Sequence, residues 1–307
     1  MKILLSGNIQ LSDGACAALK SKGHELYIHP DERTPVEKPE VYEAVICNGL
    51  FLYTPIRAFQ KLRIIQTTSA GLDRVPMEYI RTHGITLHNA DKVYSIPVAE
   101  FALGGILQLY KKSRFFLENQ VQGLWEKQRS IMELSGRSVC ILGCGNVGHE
   151  LAKRLKAFDC QIIGVNRTVR ESRYFDVVLS LHELRLAVEK CDILCCCIAH
   201  TAQTERIIDR NIFSALRTDG VFVNVARGAV VDEAALTDWL REGGSAVLDV
   251  FDKEPLPQSS PLWKMRNVIL TPHNAFVSER NNDRMEMQIL KGMGCEECFC
   301  SEELKQP

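Results

Sequence analysis

Val139-Cys-Ile-Leu-Gly-Cys-Gly-Asn-Val-Gly148 is the stretch that decides the fold of this chain. Its first four residues are apolar and predict a buried strand, and residues 150–158 after it predict a helix. The glycines fit the pattern G-x-G-x-x-G, which joins a strand to a helix in dinucleotide-binding units. Gly143 permits the tight turn, Gly145 lets the backbone approach a pyrophosphate, and Gly148 lets helix and strand pack closely. The predicted cofactor contacts in this turn are Gly143, Gly145, Asn146, Val147 and Gly148.

Short apolar runs alternate with helical patterns on both sides of this stretch, which is typical of a parallel sheet covered by helices. Before it, strands are predicted at 3–5, 45–47, 64–65 and 85–87, with helices at 12–22 and 55–61. After it, strands are predicted at 139–142, 161–165, 177–179, 193–198, 221–225, 246–250 and 268–270. A long helix at 97–118, capped by Ser95, lies between the two series. The chain is therefore predicted to be an α/β protein with two doubly wound parallel-sheet domains.

Composition and charge exclude several classes of partner. The chain has 307 residues, 46% of them hydrophobic and 24% charged, and its net charge is -1. This balance predicts no nucleic-acid partner and no anionic membrane surface as a partner. The apolar run at the start is too short for a signal peptide, and no run is long enough to span a bilayer. A cytoplasmic location is expected.

The 12 cysteines are predicted to be mostly small core residues and not a metal site. Cys195, Cys196 and Cys197 are consecutive on a predicted strand, so their side chains point to alternate faces and cannot share one ligand. The run Cys295-Glu-Glu-Cys-Phe-Cys300 has metal-binding residue types but no second ligand pair nearby. A free tail is the favoured interpretation there, with a metal site as the lesser alternative.

The end of the second strand after the glycine turn bears on the choice of cofactor. An enzyme selecting NAD is expected to carry Asp or Glu there, to bind the ribose 2′-hydroxyl. This chain has Asn166-Arg167-Thr168, with Arg170 close behind. Arginine and threonine can bind a 2′-phosphate, which a carboxylate would repel. NADP(H) is therefore the predicted preference, with NAD(H) possible; the alternative is that Arg167 is only a solvated surface residue.

Three later segments place polar residues directly after predicted strands. They are Asn224-Val-Ala-Arg-Gly-Ala229, Leu248-Asp-Val-Phe-Asp-Lys-Glu-Pro-Leu256 and Ile269-Leu-Thr-Pro-His-Asn-Ala275. Ligands bind at the carboxyl ends of strands in open α/β sheets. Arg227, Glu254 and His273 are therefore candidates to converge on one cleft.

These segments, together with the glycine turn, resemble the D-isomer-specific 2-hydroxyacid dehydrogenase family over nearly the whole chain. Further segments that carry the resemblance are Thr68-Ser-Ala-Gly-Leu-Asp73, Val98-Ala-Glu100, Ser260-Pro-Leu-Trp263 and Thr271-Pro-His273. The resemblance implies a Rossmann cofactor domain, residues 94–275, inserted in a flavodoxin-like substrate domain, residues 1–93 and 276–307. It also implies a homodimer formed through the helix near 97–118 and its surroundings.

The resemblance implies a role for each candidate, and the chemistry of the side chains suits those roles. His273 gives or takes the proton of the hydroxyl group, with Glu254 orienting its ring. The planar fork of Arg227 binds the carboxylate of a 2-oxo acid, or bridges it and the carbonyl oxygen. The backbone of Ser69, Ala70 and Gly71 resembles the carboxylate-binding loop of the family. Contacts near the nicotinamide or elsewhere on the cofactor are implied for Ser95, Thr204 and Asp249.

Some positions depart from the family pattern. Ala199 stands where the family usually has proline, and Asp159 stands where a glycine is common. The tail after Met287 lacks the pattern of the usual closing helix.

The favoured function is reduction of glyoxylate, hydroxypyruvate or a similar 2-oxo acid by NAD(P)H. Two alternatives stay open. One is 3-phosphoglycerate dehydrogenase activity, which needs cationic groups for a phosphate. The other is a non-catalytic, NAD(H)-sensing corepressor-like protein, since the family includes such proteins. Formate dehydrogenases carry Gln where Glu254 stands, which argues against that activity.

Overall fold

The computed structural model describes residues 1–7, 9–90 and 92–295. The chain divides into two compact units, and we call Met1–Tyr94 with the segment from Ser278 onward the first unit. The second unit is Ser95–Val277. These limits fall one residue after the boundary predicted at 93 and two residues after that predicted at 275. Each unit contains its own parallel sheet, which confirms the predicted fold class.

The first unit is built on a parallel sheet whose described strands stand in the order β2-β1-β3-β4-β5. This is the strand order of flavodoxin-like folds. The strands are β1 (Lys2–Ser6), β2 (Glu25–His29), β3 (Ala44–Cys47), β4 (Ile64–Thr67) and β5 (Thr86–His88). The helices are α1 (Asp13–Ser21), α2 (Met77–Thr82) and, from the end of the described chain, α9 (Asn281–Gly292).

Three predictions about the first unit are wrong. The predicted helix at 55–61 is a single 3₁₀ turn, Ile56–Ala58, because the apolar side chains recur every three residues and Phe59 leaves the helical region at ψ 75°. Strand β2 was not predicted: its short apolar run, Leu26-Tyr27-Ile28, lies on an edge strand that is largely exposed. The chain after Met287 does form a closing helix, since α9 buries Ile289 and Leu290 against α1.

The second unit is built on a parallel sheet whose described strands stand in the order β12-β11-β10-β9-β6-β7-β8. Strands β6 (Ser138–Leu142), β7 (Gln161–Asn166), β8 (Val177–Ser180), β9 (Ile193–Cys196), β10 (Val221–Asn224), β11 (Ser245–Leu248) and β12 (Val268–Leu270) all lie at predicted positions. The helices are α3 (Ser95–Tyr110), α4 (Ser113–Gln122), α5 (Asn146–Lys156), α6 (Leu184–Glu189), α7 (Arg210–Ala215) and α8 (Glu233–Arg241). The order reverses between β6 and β9, which is where ligands bind in doubly wound sheets.

The long helix predicted at 97–118 is two helices. Lys112 has φ +53°, a left-handed conformation that ends α3 and lets α4 start in a new direction. Ser95 is the first residue of α3 and lies in its first turn, so it does not occupy the predicted cap position. Helix α3 packs closely on the sheet at Gly105, where a Cβ atom would lie 2.6 Å from Cγ1 of Val247.

Adjacent glycines of α3 give a matched test of this packing. We expect Gly105→Ala to destabilise the fold by about 1–3 kcal/mol, because the added methyl group overpacks the contact with Val247. Gly104 has no heavy atom within 4 Å of an added Cβ. Gly104→Ala should therefore leave stability unchanged or raise it by up to about 1 kcal/mol, through helix propensity. Urea denaturation of both variants measures the difference, and equal effects would contradict this packing.

Candidate functional site

The glycine turn between β6 and α5 has the close packing that the motif requires. Gly143 has φ +101°, and a Cβ there would lie 2.7 Å from the backbone of Cys197 and Ile198. A Cβ on Gly148 would lie 2.1 Å from the carbonyl oxygen of Gly143. Both positions therefore exclude a side chain for reasons internal to the protein.

The middle glycine of the turn is different, because it faces open space. Gly145 is exposed, caps the start of α5, and has no heavy atom within 4 Å of a built Cβ. The first turn of α5, which includes Asn146 and Val147, carries no acidic residue. The amides and positive dipole end of a helix start can hold a phosphate group. The turn thus fits a dinucleotide pyrophosphate on its structure alone.

The loop after β9 lies beside the glycine turn, at the point in the sheet where the strand order reverses. Cys197 donates its amide to the carbonyl of Leu142, so the loop starts beside the glycine turn. Thr204 is buried, and its hydroxyl donates to the carbonyl of Ala199 at 2.8 Å and accepts from the amide of Thr201. These bonds of the Thr204 hydroxyl stabilise the loop. One of them is made to Ala199, the position at which the family resemblance implies a proline.

The end of β7 presents an uncompensated positive charge. Arg167 and Thr168 are exposed, whereas Asn166 turns its side-chain amide back to the carbonyl of Thr168 at 3.2 Å. Within the described chain, the guanidinium of Arg167 has no hydrogen-bond or ion-pair partner. Arg167 is thus available to an anionic ligand, and no carboxylate opposes one at this strand end.

Strand order brings the predicted catalytic side chains to neighbouring positions. Arg227 follows β10, Glu254 follows β11 and His273 follows β12, and these three strands are adjacent in the sheet. Nδ1 of His273 lies 2.8 Å from Oε2 of Glu254. Oε1 of Glu254 accepts the amide of Phe251 at 3.1 Å, so the carboxylate is held at both oxygens. Because both side chains are partly exposed, the ring is fixed yet accessible.

A buried carboxylate organises the loop that carries His273. Asp249 is 2% exposed and accepts the hydroxyl of Thr271 at 2.6 Å and the amides of Asn274 and Ala275 at 2.8 and 2.9 Å. The backbone of His273 adopts φ +52°, and its amide donates to the carbonyl of Asp249 at 2.8 Å. Left-handed backbone is unfavourable for a residue with a Cβ, so surrounding bonds must hold it. Asp249 supplies most of them.

Gly228 sets the position of Arg227. A Cβ on Gly228 would lie 1.9 Å from the carbonyl carbon of Phe251, so the loops after β10 and β11 touch backbone to backbone. Arg227 is extended and half-buried, and its Nη1 donates to the carbonyl of Ala226 at 2.7 Å. The side chain of Asn224 closes the loop by donating to the carbonyl of Arg227 at 3.1 Å.

In the predicted carboxylate-binding loop of the first unit, the backbone carbonyls accept hydrogen bonds, whereas three backbone amides have no acceptor in the described chain. The carbonyls of Thr68, Ser69, Ala70 and Gly71 accept bonds from the Tyr94 hydroxyl, the Ala90 amide and the side chains of Thr67, Asn89 and Ser69. The amides of Ser69, Ala70 and Gly71 have no acceptor within residues 1–7, 9–90 and 92–295. Such a row of free amides suits an anion.

The described cysteines act as packing residues and form no metal site. Cys195 and Cys196 are fully buried, and burial raises the pKa of the Cys144 thiol in the glycine turn to about 11. No cluster of three or more metal-ligating side chains occurs in the part of the chain that the structure describes. The other cysteines of the predicted tail, Cys298 and Cys300, lie outside the described residues.

Sequence reasoning missed several residues that shape these sites. The sequence motif includes Thr271 but gives no sign of its hydrogen bond to Asp249, a residue predicted only as a cofactor contact. A threonine two residues before the candidate histidine is the signal that was present. The contact of Gly228 with Phe251 left no signal, because the two segments are distant along the chain.

Comparisons with known proteins show the family to which the chain is related. The model of the family described as D-isomer specific 2-hydroxyacid dehydrogenase, NAD binding domain, matches residues 103–275. A glyoxylate/hydroxypyruvate reductase of Arabidopsis thaliana is 33% identical over 241 residues, which are 76% of this chain and 72% of that protein. A D-3-phosphoglycerate dehydrogenase of Methanocaldococcus jannaschii is 33% identical over 231 residues, 73% of this chain and 43% of that protein. The chain spans about half the length of the D-3-phosphoglycerate dehydrogenases it matches.

A solved structure extends the likeness to most of the chain. The NADPH-dependent glyoxylate/hydroxypyruvate reductase from Sinorhizobium meliloti, in complex with NADP and malonate, has a TM-score of 0.76 at 29% identity. The match covers 93% of this chain and 90% of that chain.

A conservative substitution tests the role of Asp249. Asp249→Asn replaces one carboxylate oxygen with a donor, which leaves at least one buried N–H or O–H of the loop without an acceptor. We expect a loss of about 1–3 kcal/mol in the free energy of unfolding. Asp252→Asn is the control, because Asp252 is exposed. Urea denaturation that showed equal stability for the two variants would contradict this role.

Proposed function

The chain belongs to the D-isomer specific 2-hydroxyacid dehydrogenase family, and on this premise we propose that it reduces a small 2-oxo acid of the glyoxylate or hydroxypyruvate type with NAD(P)H. The observation that carries the proposal is the 2.8 Å contact of His273 with Glu254, in the unit that carries the dinucleotide turn. The bound cofactor would supply the hydride, held at its phosphates by Gly143–Gly148.

His273 is the proposed proton donor. The contact with Glu254 engages Nδ1, and Nε2 has no hydrogen-bond partner within the described chain. Nε2 can therefore donate a proton to the oxygen that becomes a hydroxyl, and accept it in the reverse reaction. Glu254 fixes the orientation of the ring by accepting the Nδ1 proton. The amide of Phe251 keeps this carboxylate in place.

Two further groups are proposed to bind the substrate. The guanidinium of Arg227 suits a carboxylate, or a carboxylate and the adjacent carbonyl oxygen, because its planar fork offers paired donors. The free amides of Ser69, Ala70 and Gly71 also suit a carboxylate. Asp249 is proposed to act on catalysis by positioning the loop of His273. Contacts of Ser95 and Thr204 with the cofactor remain proposals from the family resemblance.

NADP(H) is the proposed cofactor preference. The support is the unpaired guanidinium of Arg167 beside Thr168, at the strand end where the ribose is recognised. The absence of a carboxylate at Asn166 removes the usual group for a free 2′-hydroxyl and the usual repulsion of a 2′-phosphate. The Sinorhizobium meliloti relative is described as NADPH-dependent, which favours the same choice.

A second candidate activity is oxidation of D-3-phosphoglycerate, which the match to the Methanocaldococcus jannaschii protein favours. The non-catalytic sensor is the third alternative. Turnover with 3-phosphohydroxypyruvate and with unphosphorylated 2-oxo acids separates the two activities. Cofactor binding without any turnover would favour the sensor.

We also propose that the chain forms a homodimer through α4 and the segment after it. Five apolar side chains are exposed there, including Val121 at 89% and Trp125 at 97%: Phe116, Leu117, Val121, Leu124 and Trp125. Several large exposed apolar side chains within one short stretch of chain are typical of an interface. The family resemblance favours a second copy as its occupant.

A charged substitution tests this interface. Trp125→Glu is expected to convert a dimer to a monomer, because a carboxylate would be buried at the contact. Ile28→Glu in the first unit, where Ile28 is 75% exposed, should leave the oligomeric state unchanged. Sedimentation velocity distinguishes the species, and a monomeric wild type would overturn the proposal.

None of the helices in the described part of the chain has the length and apolar character to cross a membrane. A cytoplasmic location is proposed because the nine described cysteines from Cys16 to Cys197 are thiols, which the reducing cytosol maintains. Recovery of the chain in another cell fraction would contradict it.

Removal of the proposed proton donor tests the activity. His273→Ala is expected to lower kcat for 2-oxo acid reduction by roughly a hundredfold or more, the scale of general acid catalysis. Cofactor binding, followed by fluorescence titration, should persist because the glycine turn is intact. Near-normal turnover in this variant would remove His273 from the mechanism.

Removal of the free guanidinium tests the cofactor preference. Arg167→Ala is expected to lower kcat/KM for NADPH by about ten- to a hundredfold, since a hydrogen bond to a charged group contributes about 1.5–3 kcal/mol. Solvent screening at an exposed site favours the lower end of that range. The effect on NADH should be much smaller. A wild type that prefers NADH, or an equal loss of kcat/KM with both cofactors in the variant, would show that Arg167 does not recognise the 2′-phosphate.

A further inference from the structure

The segment between β7 and β8 has no regular secondary structure, yet it is tied to the start of α5. Oγ of Ser172 lies 3.2 Å from Nδ1 of His149, which stands one residue after the last glycine of the turn. The ring of Tyr174 meets the same imidazole edge to face, with centroids 4.9 Å apart. One half-buried histidine therefore contacts two residues of the segment.

A second contact links the same segment to the glycine turn itself. Gly164 of β7 lies under both Cys144 and Phe175, and a Cβ there would be 2.6 Å from Sγ of Cys144 and 2.7 Å from the ring of Phe175. The high pKa of the Cys144 thiol, caused by burial, keeps it an uncharged packing group. The segment is thus clamped between the turn, the helix start and the sheet.

The clamped segment begins with the residues proposed to read the cofactor. Asn166, Arg167 and Thr168 lie at its start, and Ser172, Tyr174 and Phe175 lie at its end, against His149. A residue that fixes the end of such a segment limits the conformations of its start. Binding of a ligand then costs less conformational entropy, because less of the segment has to be ordered.

We propose that His149 is a positioning residue for cofactor selection. Its hydrogen bond to Ser172 and its contact with Tyr174 restrict the segment to conformations in which Arg167 can bind a 2′-phosphate. This inference rests on the proposed preference for NADP(H). It concerns only the group that distinguishes NADPH from NADH, because the pyrophosphate is held by the glycine turn.

Two single variants and their combination test the hydrogen bond. His149→Phe keeps an aromatic ring against Tyr174 but removes Nδ1, and Ser172→Ala removes the hydroxyl. Each is expected to lower the ratio of kcat/KM for NADPH to that for NADH by about 3- to 10-fold, the effect of losing one hydrogen bond. The double variant should lose no more than the larger single effect, since both changes remove the same bond.

The Kd of NADPH and of NADH for the full chain without substrate gives a readout independent of turnover. Fluorescence titration should show the same shift in their ratio. His83→Phe is the matched control, because His83 stacks on Tyr79 in the first unit with centroids 3.7 Å apart. Its ratio should equal that of the wild type.

The outcomes separate this inference from the proposed function. A wild type that prefers NADPH, with an unchanged ratio in His149→Phe and Ser172→Ala, overturns the role of His149 alone. Equal losses with both cofactors also overturn it, since they indicate a general structural role. If the two single effects on the cofactor ratio multiply in the double variant, the role of the His149–Ser172 hydrogen bond is also overturned. A wild type that prefers NADH overturns both this inference and the proposed preference.

Discussion

Close approach of backbone segments at the carboxyl edge of the second sheet is the constraint on which the candidate site depends. Gly148 packs against the carbonyl of Gly143, and Gly228 packs against the carbonyl of Phe251, both at distances that exclude a Cβ. The first contact shapes the turn between β6 and α5. The second brings the loop of Arg227 against the loop that leads to Glu254. The strand order brings the side chains to one edge, and these contacts fix how closely the loops that carry them approach each other.

The buried carboxylate of Asp249 is the second feature on which the geometry of the candidate site depends. Asp249 accepts three donors from the residues around His273, at a place where the chain has left the sheet and its ladder of hydrogen bonds. A buried carboxylate is costly unless its oxygens are paired, so the loop must keep the conformation that supplies those donors. The left-handed backbone of His273 persists for this reason. Its imidazole is then held by a hydrogen bond to Glu254 and an edge-to-face contact with Phe276.

Much of the second unit could be predicted from the sequence, because its strands are buried on both faces and appear as continuous apolar runs. The glycine turn could also be predicted, because the spacing G-x-G-x-x-G depends on local backbone geometry. Elements that depend on tertiary context were not predicted. The edge strand β2 is largely exposed although it contains a short apolar run, and the left-handed backbone of Lys112 ends the predicted long helix without glycine or proline.

The candidate site shows the same division. The strand ends pointed to Arg227, Glu254 and His273, because parallel strands present their carboxyl ends at one edge. The sequence could not show that β10, β11 and β12 are neighbours, or that Asp249 would bind the loop of His273. Those contacts join residues 22 to 26 positions apart and leave no periodic pattern.

Steady-state oxidation of reduced cofactor by the purified wild-type chain tests the central claim most directly. Glyoxylate and hydroxypyruvate would each be supplied with NADPH and with NADH, and the loss of nicotinamide absorbance followed. Turnover of at least one of these acids, with the higher kcat/KM for NADPH, is the predicted result. Binding of both cofactors with no turnover of either acid would contradict the assignment of this chain as a 2-oxo acid reductase.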